Sequence, residues 1–205
     1  MSIPKTHYFE ARPEVASSPR TLRLQLGDLQ LDLYADRGVF GARAVDPGTM
    51  VLLKEAPAPP GRGDILDLGA GYGPIALAVA RRAPQARVWA VDVNQRALDL
   101  VRRNAERNSC ANVTAVEPDQ MPSEVRFAAM YSNPPVRVGK HALHDLLLRW
   151  LPRLEPGGRA YLVVQRNLGA DSLAAWLSGQ GFEVDRLKSK KGYRVLEVRP
   201  AGQRE

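Results

Sequence analysis

The chain is poor in the residues that staple, anchor or metallate small proteins. One of its 205 residues is cysteine, Cys110, which excludes an internal disulfide and any cysteine-based zinc cluster. The three histidines, His7, His141 and His144, lack metal-ligand spacing with an acidic pair, so no metal is expected. No apolar run is long enough to span a bilayer, and Met1 to Glu10 holds no apolar signal core. A cytoplasmic setting is therefore expected. Internal repeats and low-complexity tracts are absent. Acidic residues are outnumbered, 22 against 29 Lys and Arg, for a formal charge of +7. Such an excess favours polyanions such as RNA, although a merely soluble basic protein carries the same charge. With 44% hydrophobic and 25% charged residues the composition is globular, most simply one domain with short additions.

Residues 1–20 carry Pro4, Pro13 and Pro19 without a clear period and read as an irregular arm. Leucines then alternate on both sides of Gly27-Asp28, a β-hairpin signal over Thr21 to Tyr34. Asp46-Pro47-Gly48-Thr49 opens a short apolar segment, Met50 to Lys54, and Pro57, Pro59, Pro60 and Gly61 form a linker. Residues 1–60 thus read as arm, hairpin and short helix packed on a core unit of residues 61–205. In that unit strands and helices alternate: strands over 64–68, 87–91, 112–117, 125–131 and 159–164, and helices over 74–82, 94–108, 140–153 and 171–178. The chain closes with a hairpin, Phe182 to Leu187 and Tyr193 to Val198, joined by a basic turn. Alternation of this kind implies a doubly wound α/β fold, a Rossmann-like, mainly parallel seven-stranded sheet with an antiparallel C-terminal hairpin strand. Trp89, Trp150 and Trp176 fall in strand and helix patterns and read as core.

The most informative tetrapeptide is Ser132-Asn133-Pro134-Pro135. It follows an apolar run and so lies on the loop at the C-terminal end of a buried strand, the edge at which open α/β sheets bind ligands. The Asn133 side-chain oxygen accepts hydrogen bonds, and the paired prolines hold the Pro134 carbonyl in a fixed direction. Together they make two rigid acceptors suited to both hydrogens of a planar exocyclic amino group. An ordinary strand-ending turn would present the same residues.

A second signal is the loop Asp67-Leu68-Gly69-Ala70-Gly71-Tyr72-Gly73 between the first strand and helix of the core unit. Dinucleotide sites space their glycines G-x-G-x-x-G to seat a pyrophosphate. Here the spacing is G-x-G-x-G with Pro74 next, which argues against a nicotinamide oxidoreductase. Asp92 ends the second strand of the core unit, 21 residues after Gly71, where a carboxylate can hold both hydroxyls of a ribose. Asp119 follows the third. Taken singly, Asp92 reads equally as a helix-capping carboxylate and Asp119 as a surface loop residue.

The combination Asp67-x-Gly69-x-Gly71-x-Gly73, Asp92 and Asn133-Pro134-Pro135 resembles class I S-adenosylmethionine-dependent methyltransferases that methylate planar amino nitrogens. More narrowly, the chain is similar to the 16S rRNA guanine-N2 methyltransferase family of the ribosomal small-subunit methyltransferase C type, in a single-domain form. The matching stretches include His7-Tyr8-Phe9, Asp36-Arg37-Gly38-Val39-Phe40, Asp46-x-Gly48-Thr49-x-x-Leu52, Asn133-Pro134-Pro135-x-Arg137-x-Gly139-Lys140 and Lys191-Gly192-Tyr193-Arg194-Val195-Leu196. The resemblance implies S-adenosyl-L-methionine as cofactor, contacted by Asp67, Gly69, Ala70, Gly71, Tyr72, Gly73, Asp92, Val93, Asp119 and Asn133. It implies Asn133, Pro134 and Pro135 as the catalytic group and RNA, 16S rRNA or the small ribosomal subunit, as partner, met by Phe40, Arg137 and Lys140. Two departures stand out. The second methyltransferase-like domain of many bacterial members has no counterpart here. Val136 occupies the place after Pro-Pro where an aromatic commonly stacks the base, which makes Phe40 the candidate for that role. The same chemistry on a protein glutamine, an adenine or cytosine amino group or a small amine stays open, as does a non-catalytic RNA-binding protein, and monomer and dimer are not distinguished.

Overall fold

The computed structural model describes residue 13 and residues 15–202, with the backbone alone at Arg137. The His7-Tyr8-Phe9 motif and most of the expected arm lie outside the described residues. Strands β1 (Arg20–Gln25) and β2 (Gln30–Ala35) pair antiparallel around Gly27-Asp28, closed by the Leu26 N–H to Leu29 carbonyl hydrogen bond of 2.9 Å. Helix α1 (Pro47–Glu55) follows, capped by Asp46 with proline in its first turn. The core unit then runs β3 (Asp64–Leu68), α2 (Pro74–Arg82), β4 (Arg87–Val91), α3 (Gln95–Arg107), β5 (Val113–Val116), β6 (Phe127–Ser132), α4 (Lys140–Trp150), β7 (Leu154–Gln165), α5 (Ala170–Gly179), β8 (Phe182–Lys190) and β9 (Tyr193–Pro200).

Strand order in the main sheet is β5-β4-β3-β6-β7-β9-β8, parallel from β5 to β7, with β9 antiparallel to both neighbours. The expected seven-stranded, mainly parallel sheet with an antiparallel C-terminal hairpin is the sheet observed. Two local readings need correcting. The lead into the 159–164 strand is itself strand: β7 starts at Leu154 and takes Gly157-Gly158 through an irregular register against Phe127, where a Gly158 Cβ would lie 2.7 Å from the Phe127 carbonyl oxygen. The basic turn also shrinks to Lys191-Gly192, both at positive φ, because residues 188–190 still pair with β9.

Chain order reverses between β3 and β6, where Asp67 lies opposite Tyr131. The loops after both strands therefore open side by side at a topological switch point. Two hydrophobic clusters flank the sheet. One holds Leu24, Leu31 and Leu33 of the hairpin together with Ile65, Leu77 and Val101, so the hairpin and the core unit share a single apolar interior. The other holds Trp89, Phe127, Trp150 and Leu162. Trp89 and Trp150 are buried, and Trp176 stacks on His144 with ring centroids 3.6 Å apart.

The outer edge of β2 is closed by side chains. Asn104 on α3 and Asn108, the C-cap one turn later, lie on the same side of the helix. Asn104 accepts from the Tyr34 N–H at 2.6 Å and donates to the Tyr34 carbonyl at 2.9 Å, and Asn108 does the same to Asp32 at 3.2 and 3.0 Å. Two amides thus replace a neighbouring strand along alternate residues of β2.

Candidate functional site

The site begins with the backbone of the glycine loop. Gly69, Gly71 and Gly73 all take positive φ, of 75°, 55° and 91°, a region side-chain-bearing residues avoid. Gly73 is at close quarters, since a Cβ there would stand 2.7 Å from Leu77 Cδ1. Gly69 differs: nothing lies within 4 Å of the place its Cβ would take, so the loop offers an open path to its backbone. The loop is held from β4. The Gly69 and Ala70 N–H groups donate to the Val91 carbonyl, and the Gly71 N–H donates to Asp92 Oδ2 at 2.8 Å. Asp92 Oδ1 accepts from the Asn94 N–H at 2.9 Å and the Val93 N–H also bears on the carboxylate, so backbone amides orient it and leave part of its acceptor capacity to the cleft. Burial pushes the Asp92 carboxyl above the usual carboxylate range.

A cleft of about 1350 Å³ opens above this edge. It exceeds the volume that one small ligand needs, of about 300–1000 Å³. Gly69, Gly71, Asp92 and Val93 form its floor on the β3–β4 side, and Asn133, Pro134, Pro135 and Val136 form the β6 side. Phe40, 46% exposed, reaches it from the loop between β2 and α1. That loop is fixed in place: Asp36 accepts from Ser17 and Ser18, Arg96 donates to the Arg37 carbonyl at 2.7 Å, and Asn94 donates to the Gly38 carbonyl at 2.8 Å. Three arginines, Arg20, Arg37 and Arg43, also line the cleft, all exposed.

The Asn133 loop is tied to the glycine loop, because Ser132 Oγ donates to the Leu68 carbonyl at 2.7 Å. Pro135 has φ −74° and ψ 72°, and the Val136 N–H donates to the Pro134 carbonyl at 2.8 Å. This is an inverse γ-turn, so the carbonyl is aimed by a hydrogen bond as well as by the rings, and one of its two lone pairs is taken. Asn133 Nδ2 donates to Asp46 Oδ1 at 2.7 Å and to Thr49 Oγ1 at 3.1 Å. The helix cap of α1 therefore grips the side chain that the sequence singles out.

Several expected residues do not face the cleft. Asp67 is buried beneath the loop, its Oδ2 accepting from the Ala76 N–H at 2.8 Å while Oδ1 has no partner among the described residues. Burial, and secondarily the charge of Asp92, push its carboxyl up to about 8. It braces the first turn of α2 from beneath the loop. Gly73 caps α2. Asp119 is on the surface, its side chain 90% exposed and paired with Arg149 at 2.8 Å, whereas its neighbour Pro118 lines the cleft. Lys140 is exposed at the start of α4, outside the lining, and the Arg137 side chain lies outside the described residues. Ala70 and Tyr72 border a smaller recess with Phe40, Asp46, Thr49 and Asn133. The Tyr72 hydroxyl is buried without a partner among the described residues, and burial together with the Asp46 charge pushes its phenol up.

The structure also brings in residues that sequence reading missed. Asp46, Thr49, Asn94 and Ser132 all hold site groups. Each carried a local signal, Asp46 and Asn94 as helix caps, Thr49 in a family-like stretch and Ser132 in the tetrapeptide, but none of these signals pointed to the partner it holds.

The donor set suits a sulfonium nucleoside: an open glycine backbone, a carboxylate with spare lone pairs for vicinal hydroxyls, and apolar Val93 and Pro118 beside it. Comparison with known proteins agrees. A family model described as the methyltransferase small domain matches residues 30–197. YbxB of Bacillus subtilis (strain 168), an uncharacterized protein, is 33% identical over 94% of this chain and 98% of its own length. The ribosomal RNA small subunit methyltransferase C of Pseudomonas aeruginosa (strain LESB58) is 32% identical over 85% of this chain and 56% of its own. The solved T. thermophilus 16S rRNA N2 G1207 methyltransferase, in complex with AdoMet and guanosine, superposes with a TM-score of 0.72 at 27% identity, covering 92% of this chain and 52% of that one. The chain thus spans about half the length of the rRNA methyltransferases it matches.

Proposed function

This chain belongs to the methyltransferase small domain family and is an S-adenosylmethionine-dependent methyltransferase, and from that premise we propose that its acceptor is the exocyclic N2 of a guanine in 16S rRNA. The observation that carries this reading is the pair of fixed acceptors, Asn133 and the Pro134 carbonyl, on the wall of a cleft whose floor is the glycine loop. Bound S-adenosylmethionine supplies an electrophilic methyl group. Gly69, Gly71, Asp92 and Val93 would hold the cofactor, with Asp92 placed to accept from its ribose hydroxyls. Asn133 Oδ1 and the remaining lone pair of the Pro134 carbonyl accept the two hydrogens of the guanine amino group and so turn its lone pair toward the methyl. Because that nitrogen is conjugated and weakly nucleophilic, the rate comes from orientation and from acceptors already in place as positive charge develops. Once methylated, the nitrogen is strongly acidic and gives up one proton to water, so no strongly shifted general base is required.

Phe40 closes the guanine against the cleft in the role Val136 is too small and aliphatic to fill. A guanine in folded RNA reaches the cleft only when exposed or flipped out. Arg20, Arg37 and Arg43 at the cleft, with Lys140 beyond it, meet the flanking phosphates. The C-terminal hairpin contributes less, because Arg186 and Arg194 pair with Asp171 and Lys190 with Glu55.

The test is transfer of labelled methyl to RNA from cells lacking this protein, followed by nucleoside mass analysis. N2-methylguanosine in small-subunit rRNA is the expected product. Label in another nucleoside, in protein or in a small amine would replace the acceptor and keep the chemistry.

A further inference from the structure

Asn133 can face the cleft in two ways, related by a rotation that exchanges its oxygen and nitrogen. Only one of them suits an amino-group acceptor. With Oδ1 toward the cleft the side chain accepts the amino hydrogens. With Nδ2 toward the cleft it presents two N–H groups to an NH2 and repels it. Nothing on β6 decides between them.

We infer that Asp46 and Thr49, at the cap of α1, are positioning residues that select the productive amide orientation of Asn133. This inference rests on the amino-nitrogen reading of the cleft given above. The Asp46 carboxylate has only acceptor oxygens, so the group facing it at 2.7 Å must be the Asn133 NH2. Thr49 Oγ1 receives the second hydrogen at 3.1 Å. Both Nδ2 hydrogens are thereby committed to α1, and Oδ1 is left to the cleft. The holder is itself rigid. The same Asp46 Oδ1 accepts from the Thr49 N–H at 3.1 Å, which caps the helix, and Thr49 is buried. A helix terminus 84 to 87 residues away in sequence therefore orients a side chain on the loop after β6. The consequence is selective as well as kinetic: a locked Oδ1 demands an acceptor that donates, and it penalises one that offers only a lone pair.

Three variants separate this role from helix capping. Asp46→Ser keeps a good cap residue but is too short to reach Asn133. Thr49→Val keeps the volume and removes the hydroxyl. Asp46→Asn retains an oxygen at the Oδ1 position for both donors. Two readouts are needed on the full chain. In protein labelled with 15N-asparagine, the side-chain amide signal of Asn133, identified by its loss in Asn133→Ala, is expected as two well-separated proton resonances with slow solvent exchange. Asp46→Ser should merge or speed them and Asp46→Asn should restore most of the protection. In methyl transfer, Asp46→Ser should lower kcat about tenfold or more with cofactor Kd within about twofold, as supporting-shell losses do. Thr49→Val should lower kcat less, and Asp46→Asn should recover most of the loss. Combining Asp46→Ser with Asn133→Ala should cost nothing beyond Asn133→Ala alone. An exchange-labile Asn133 amide in the unaltered protein, or equal losses from Asp46→Ser with and without Asn133, would overturn the inference. Protected amide protons that Asp46→Ser releases, in a protein that methylates no RNA, would instead leave the orientation standing and remove the guanine acceptor.

Discussion

Asp67 and Asn133 show how burial redirects a polar residue's task. Asp67 carries the acidic signature of the glycine loop, yet its carboxylate is 1% exposed and bound to the start of α2. Its folded-state value of about 8 lies above that of an unfolded aspartate, so folding favours its protonated form. The stabilisation is full below about pH 4 and is lost progressively as pH rises toward 8. Replacing Asp67 with Asn, which keeps the acceptor for Ala76, should flatten the fall of Tm between pH 5 and 8 in the ligand-free protein. Parallel pH profiles for variant and parent would show an ordinary carboxylate. At Asn133 the expected effect is kinetic. Asn133→Ala should cut kcat by about 10²–10³-fold, the scale for loss of a preorganised electrostatic contact, and leave cofactor affinity nearly intact by calorimetry. Loss of cofactor binding would move Asn133 out of the catalytic role. Phe40→Ala should raise the acceptor KM about tenfold, the scale of one base-aromatic stack, and an unchanged KM would give the stacking to another group.

Among the elements, α3 does more than cover the sheet. Its N-cap, Asn94, holds both the start of the helix and the Gly38 carbonyl of the Phe40 loop. Its inner face carries Asn104, which serves both backbone groups of Tyr34 and also donates to the Tyr72 carbonyl in the glycine loop at 2.8 Å. One buried amide therefore joins the β1–β2 hairpin, α3 and the cofactor loop. Asn104→Leu would strand three backbone groups and should destabilise the protein by about 3 kcal/mol. Because one of the three belongs to the loop, cofactor affinity should fall in the same variant. Chemical denaturation and calorimetry read the two effects separately, and a stability loss without an affinity loss would confine Asn104 to the hairpin.

At the scale of the whole molecule, the positive charge divides between ion pairs and the rim of the cleft. The basic stretch near the C-terminal hairpin is largely drawn into ion pairs with Glu55 and Asp171, whereas Arg20, Arg37 and Arg43 stand exposed at the cleft. RNA affinity should fall steeply with salt, and neutralising Arg37 or Arg43 should reduce the slope by about 1 each, with little dependence on RNA sequence. Neutralising the ion-paired Arg186 or Lys190 should change it less. A reversed ranking would transfer the phosphate track to the hairpin. Among the described residues no helix is long and apolar enough to cross a membrane.

Local pattern by itself determined the order and type of the elements. Period-two leucines flanked Gly27-Asp28, apolar runs alternated with amphipathic helices, and glycines marked a turn that only positive φ can make, because these signals act over a few residues. It also determined which loops carry chemistry, through Gly69 to Gly73 and Asn133 to Pro135. Tertiary structure alone decided what each polar side chain does. Asp67 and Asp92 each end a strand in the sequence, yet one is sealed under a helix and the other lines the cleft. Asp119 looks like a third member of that set and is a surface ion pair. The grip of Asp46 and Thr49 on Asn133, like that of Asn104 on β2 and the glycine loop, joins residues 32 to 87 positions apart. Such hydrogen bonds depend on which elements the sheet topology brings together, and no window of sequence contains both partners.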